Sequence, residues 1–289
     1  MAVLKSAKGG YTMLRNAKEL IGYDIHATDG NIGKVYDFYF DDQSWCIRYM
    51  VVNTGGWLSG RHVLIASAAL GKPNWGKEIF SVSLTKEQVR HSPNTNMHEP
   101  ISRQHEHELH EYYGWPRYWE HEPLTAEMSI AEEEYEVMAE VKEEEEEEER
   151  QREEENTREE NAKHDSNLQS VKDVTGYHIH AADGQVGHVA DFVVDDESWA
   201  IRYIVVDTRN WLPGKKVLVS PHWIESVNWS DSEVFVELSR EVIKSSPEFD
   251  PSAPVNRDYE DRLYDYYGRR KYWTETVRDI VEEEHKFTR

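Results

Sequence analysis

The sequence has a single cysteine, Cys46, in 289 residues. One thiol cannot close an intrachain disulfide, and it leaves no CxxC metal or redox motif. No run of 18 apolar residues occurs, which excludes a bilayer-spanning helix. The first twenty residues, MAVLKSAKGGYTMLRNAKEL, lack the apolar core that a secretory leader needs. Positive charge is scarce: 33 Lys and Arg against 56 Asp and Glu leave a net charge of −23. Such a chain has no basic face to displace counterions from nucleic acid, and anionic lipid repels it. Catalytic signatures are missing too. There is no nucleophile elbow, HExxH, P-loop or GxGxxG. The expectation is a cytoplasmic protein with no catalytic residue, no cofactor and no metal, in which Cys46 is a small buried side chain.

What the sequence does contain is a repeat. DDQSWCIRYMVVNT at 41–54 returns as DDESWAIRYIVVDT at 195–208. An offset of 154 aligns 22–119 with 176–273 without a gap, and about 42 of the 98 positions are identical. Two units are too few for a solenoid, so two complete domains are expected. The segment between them differs in composition: residues 131–160 hold 17 Glu against four Lys or Arg, with no Gly or Pro. Ser129 with Glu132 forms a capping box, so a solvated helix can start there. Mutual repulsion among the glutamates favours a disordered spacer instead. The layout is an extension at 1–19, a first domain at 20–119, a Glu-rich linker at 120–172, a second domain at 173–273 and an acidic tail at 274–289.

Each unit reads as short antiparallel strands. Asp29-Gly30 and Asp183-Gly184 suit tight hairpins. DDQS and DDES supply a second turn, followed by WCIRYMVV and WAIRYIVV, rich in residues that fit pleated sheets. Centring that turn at Asp42 and Gln43 sets Asp37 opposite Arg48 and Phe38 opposite Ile47. The second copy then sets Asp191 opposite Arg202 and Phe192 opposite Ile201, two cross-strand ion pairs on the sheet surface. Phe80, Val82 and Leu84 alternate along a later strand, as do Val234, Val236 and Leu238. A short helical turn stops at Pro93 and Pro247. A further helix is expected after the possible N-caps Ser102 and Asn256, stopped by Gly114 and Gly268.

The order GxxI, DGxxGxVxDF, a DD turn, IRYxVVxT, WLxG, a VLV strand and an LTKEQ-type helix resembles the PRC-barrel family. That family includes the barrels of the photosynthetic reaction centre H subunit and of the ribosome maturation factor RimM. The resemblance covers most of 20–93 and 174–247. It implies a mainly β fold with two small PRC-type β-barrels, each followed by a short helix and an aromatic tail, joined by the acidic linker. It also implies docking or assembly rather than a type of enzyme.

Candidate interface residues are Trp57 and Trp211 in the WLxG turns, with Tyr112, Tyr113, Trp119, Tyr266, Tyr267 and Trp273 in the tails. Exposed Tyr and Trp serve binding hot spots, although the tails could equally cover their own barrels. His98, His105, His107, His110 and His121 suggest a metal, yet the second copy has Asp261 and Tyr264 at 107 and 110. Solvated helix-face histidines are the expectation there, and buried, hydrogen-bonded ones at His26 and His180. Two functions follow as expectations. The first is a non-catalytic tandem adaptor that binds protein partners or pairs its own barrels. The alternative is a peripheral accessory subunit of an electron- or proton-transfer membrane complex.

Overall fold

The structure is a computed structural model and describes residues 4–5, 11–12, 14–95, 100–120, 167–208, 214–253 and 255–273. The glutamate run, Trp211, His98, His121 and the tail at 274–289 lie outside the described residues. None of the described helices is long and apolar enough to cross a membrane.

The first repeat contains β1 (Leu14–Asn16), α1 (Ala17–Leu20), β2 (Asp24–Ala27), β3 (Gly30–Asp41), β4 (Cys46–Asn53), β5 (His62–Ala66) and β6 (Ile79–Ser81), then α2 (Lys86–His91) and α3 (Arg103–Tyr113). The second contains β7 (Leu168–Ser170), α4 (Val171–Val174), β8 (His178–Ala181), β9 (Gly184–Asp195), β10 (Ile201–Asp207), β11 (Lys216–Val219), β12 (Ile224–Asn228) and β13 (Glu233–Val236), then α5 (Arg240–Ser245) and α6 (Arg257–Tyr267). Apart from a two-stranded pairing of Leu4–Lys5 with Tyr11–Thr12, the fold is mainly β, with two sheets. Their strand orders are β5-β4-β3-β2-β6 and β11-β10-β9-β8-β13-β12.

Local sequence explains the elements. Ala27 pairs with Gly30 and Ala181 with Gly184, so a two-residue turn closes each first hairpin. Thr85 starts α2 through a capping box with Gln88, satisfying two backbone donors that the helix leaves open. Ser102 and Asn256 cap α3 and α6, and Gly114 and Gly268 end them in the left-handed region. Phe80, Val82 and Leu84 are all buried, as alternation requires. Gly33 and Gly187 are needed for another reason: a Cβ at either would run into the carbonyl oxygen of Asn53 or Asp207.

Three expectations need correction. One pairing in each sheet is parallel, between β2 and β6 and between β8 and β13. The intervening strands provide the long crossover that a parallel pair requires. The register of the DD hairpin also differs. Asp191 lies opposite Val205, Phe192 opposite Ile204 and Val194 opposite Ile201, with irregularities at Val189/Asp191 and Val193/Val194. Each bulge adds a residue to one strand and shifts everything beyond it. Finally, β1 and β7, which the sequence places in the extension and the linker, join the sheets: β1 pairs with β9 and β7 pairs with β3. The chain accordingly divides into one compact unit of Met1–Ile21, Asp37–Ile47 and Gln169–Arg289, and another of Gly22–Tyr36 and Arg48–Leu168.

Candidate interaction site

The exchanged strands define the first site. Asn16, Arg15 and Leu14 run antiparallel to Val193, Val194 and Asp195. Leu14, Ala17 and Leu20 are buried, and α1 packs on β9. Short helices leave their first backbone N–H groups without partners, and here the other repeat supplies them. The Lys18 amide donates to Asp191 Oδ1 at 3.2 Å. Reciprocally, the Lys172 amide donates to Asp37 Oδ1 at 3.2 Å, and Ser170 Oγ donates to Asp37 Oδ2 at 2.6 Å.

At the centre of this exchange, Cys46 forms an antiparallel bridge with Ala200. The Ile47 amide donates to the Trp199 carbonyl at 2.9 Å, and the Ile201 amide to the Trp45 carbonyl at 2.8 Å. These two bonds mirror one another at the 154-residue offset, which is the signature of an isologous contact. Trp45 and Trp199 hold φ of 52° and 60°, an outlying conformation for a bulky residue. Aromatic packing holds both in place. Trp45 stacks on Phe40 at 5.2 Å between centroids, Trp199 lies 6.1 Å from Phe38, and Phe40 meets Phe192 at 5.7 Å. Cys46 is half-buried here, not buried as expected.

The expected ion pairs dissolve in this geometry. Arg202 pairs with Asp195 at 3.0 Å, while Asp191 caps α1. Asp37 likewise serves the α4 end, and the Arg48 guanidinium lies 4.0 Å over the Tyr118 ring. The two aspartates are buried, and burial raises both pKa values, Asp191 to about 6. A carboxyl raised in this way stabilises the fold below its unfolded pKa, near 4, and loses that contribution as pH rises through 6. Asp191 Oδ1 accepts both the Lys18 and the Phe192 amide, a role an amide oxygen can fill. Asp191→Asn is therefore expected to match or exceed the wild type at pH 7. It should also remove a pH 4–6 slope worth about 3 kcal/mol at most. Urea unfolding of both proteins at pH 4.5 and 7 checks this, and identical pH dependence would contradict it.

A second arrangement, built once per repeat, was not foreseen. Glu260 is fully buried and accepts hydrogen bonds from Tyr203 at 2.6 Å and Tyr272 at 2.9 Å. Arg257 Nη1 lies 3.0 Å from its other oxygen, an ionic contact without hydrogen-bond alignment. Burial raises the Glu260 pKa against the pull of Tyr203 and Arg257. In the first repeat Glu106 takes the same place, accepting from Tyr49 at 2.9 Å and Tyr118 at 2.6 Å, with Arg103 at 2.9 Å. There His110 stands where the second repeat has Tyr264, and its Nε2 is 2.7 Å from the Tyr49 hydroxyl. His110 is buried, not solvated, and burial lowers its pKa. His26 and His180 are half-exposed rather than buried, and His180 pairs with Glu233 at 3.2 Å. No cluster of His, Cys, Asp and Glu suited to a metal occurs among the described residues.

The clusters pin the aromatic tails. Arg257 lies 3.9 Å over the Trp273 ring and Arg202 4.4 Å over Tyr272; Arg103 lies 4.7 Å over Trp119. Tyr113 stacks on Trp115, and Tyr267 packs on Trp223. Trp57 donates its indole N–H to the Ile32 carbonyl at 2.8 Å and lies beneath Lys86. Tyr112 and Tyr266 stay 40% exposed, their hydroxyls donating to the Gln88 and Val242 carbonyls at 2.8 Å. Most candidate interface residues therefore pack within their own repeat, and the two outer tyrosines remain presented to solvent.

The family description PRC-barrel domain matches residues 14–79, beginning at the first residue of β1. The match covers most of the first repeat and supports the PRC-barrel resemblance there. That domain points to protein interaction or assembly in general. No curated protein matches the chain.

Proposed function

We propose that this is a non-catalytic tandem PRC-barrel adaptor, working in the cytoplasm, that holds protein partners on surfaces displayed once per repeat. The observation that carries this reading is the matched pair Tyr112 and Tyr266. Each is 40% exposed, sits at the matching position of its own helix, α3 or α6, and is held in one orientation by a hydroxyl bond to the preceding short helix. A rigid, solvent-facing tyrosine costs little entropy on binding. Two copies on one chain raise the effective concentration of the second contact.

Affinity capture by the intact chain in its native cell extract tests this, beside a Tyr112→Ser/Tyr266→Ser variant with an unchanged circular dichroism spectrum. The wild type should retain a protein that the variant loses by tenfold or more. Equal retention by both, or turnover of a small molecule by the purified chain, counts against the reading. The accessory-subunit alternative needs a proton path, for which Tyr49, Glu106 and His110 offer only a beginning. The second repeat replaces His110 with Tyr264, so such a path would exist in one copy only.

A further inference from the structure

Each repeat carries both halves of the exchange contact. The first supplies an arm, Leu14–Leu20, and a receptor, Asp37–Ile47. The second supplies an arm ending at Val174 and a receptor that includes Asp191–Ile201. The donor and acceptor distances match at both ends, 3.2 Å from Lys18 to Asp191 and 3.2 Å from Lys172 to Asp37. The capping bonds from Lys18 and Lys172 and the backbone bonds flanking Cys46 and Ala200 lie within these short segments, and bonds from Lys18 Nζ to the Ala190 carbonyl and from Asn16 Nδ2 to the Pro251 carbonyl extend the first arm's contact within the second repeat. All of these bonds join described residues of the two repeats, so the same bonds can form with a receptor on another chain. Swapping identical elements between copies is a low-cost route to assembly when such a contact exists. We propose that the exchange surface also takes a second copy of this chain, the first repeat of each chain closing on the second repeat of the other. This inference does not rest on the adaptor reading.

Cys46 and Ala200 make the choice of partner readable. The bonds flanking them, Ile47 to Trp199 and Ile201 to Trp45, mark a non-hydrogen-bonded antiparallel pair, whose Cα atoms approach to about 4.5 Å. That spacing accepts a disulfide. The full-length Ala200→Cys chain is unfolded in urea, refolded at a series of concentrations, oxidised with glutathione disulfide, and run without reductant. Dilute protein is expected to give an internally linked monomer. Interchain-linked dimers should rise with concentration and equal the monomer near the effective concentration of the tethered repeats, about 1 mM.

Internally linked monomer at every concentration would overturn the proposal. Equal dimer formation by the wild-type chain, which has only Cys46, would also do so, because it would mean pairing between like repeats. Absence of any disulfide in the Ala200→Cys chain would remove the contact itself. None of these outcomes depends on finding an outside partner, so failure here is separable from failure of the adaptor reading.

Discussion

Leu20→Ala, a change in the first repeat, is expected to weaken the sheet of the second by about 2–5 kcal/mol. Leu20 is 2% exposed and belongs to the short helix that packs on β9. Truncation removes buried apolar surface and leaves a cavity that a rigid strand cannot fill. The readout is local. Amide exchange along Gly184–Asp195 should accelerate, although the substitution is more than 150 positions away in the chain. If protection in β9 stays intact while strands of the first repeat loosen, the arm does not support the other repeat.

Glu260→Ala is expected to cost about 3–5 kcal/mol, the usual penalty for breaking a buried charge network by removing one partner. The substitution strands the Tyr203 and Tyr272 hydroxyls and leaves Arg257 and Arg202 facing a site without its carboxylate. Glu260→Gln keeps an acceptor for both tyrosines and should cost less than half as much. Urea unfolding gives the energies. The indole N–H resonance of Trp273 in isotope-labelled protein reports the tail, which should come free in the alanine variant and stay docked in the glutamine one. Equal stability of all three proteins would show that the network carries no weight.

Both predictions turn on features that sequence patterns disclosed unevenly. Strands with alternating burial, such as Phe80–Val82–Leu84, were legible because period two and turn residues act locally. The caps Ser102, Asn256, Gly114 and Gly268 were legible for the same reason. The arm was not: LRN and LQS are too short to carry a period, and their partners lie in the other repeat. The register failed at bulges, which leave no mark in a hydrophobic pattern. Asp37 and Asp191 read as surface charges because nothing nearby in sequence reveals that they cap helices from the other copy. Glu106 and Glu260 lie among charged neighbours on α3 and α6, where a carboxylate ordinarily faces water. The offset comparison did hold the signal: Arg103, Glu106 and Tyr118 recur as Arg257, Glu260 and Tyr272. Polar identities at a helix start and in the tail, on positions where a solvated face is free to vary, mark a buried network better than a solvated face.

The most direct measurement is the set of proton–proton contacts made by the Arg15 backbone in isotope-labelled, dilute full-length chain. Expected are cross-strand contacts from Arg15 to Val194, its antiparallel partner. Contacts from Arg15 to Phe40, the position 154 residues earlier, would contradict the exchange, because they would show each arm folded back on its own repeat.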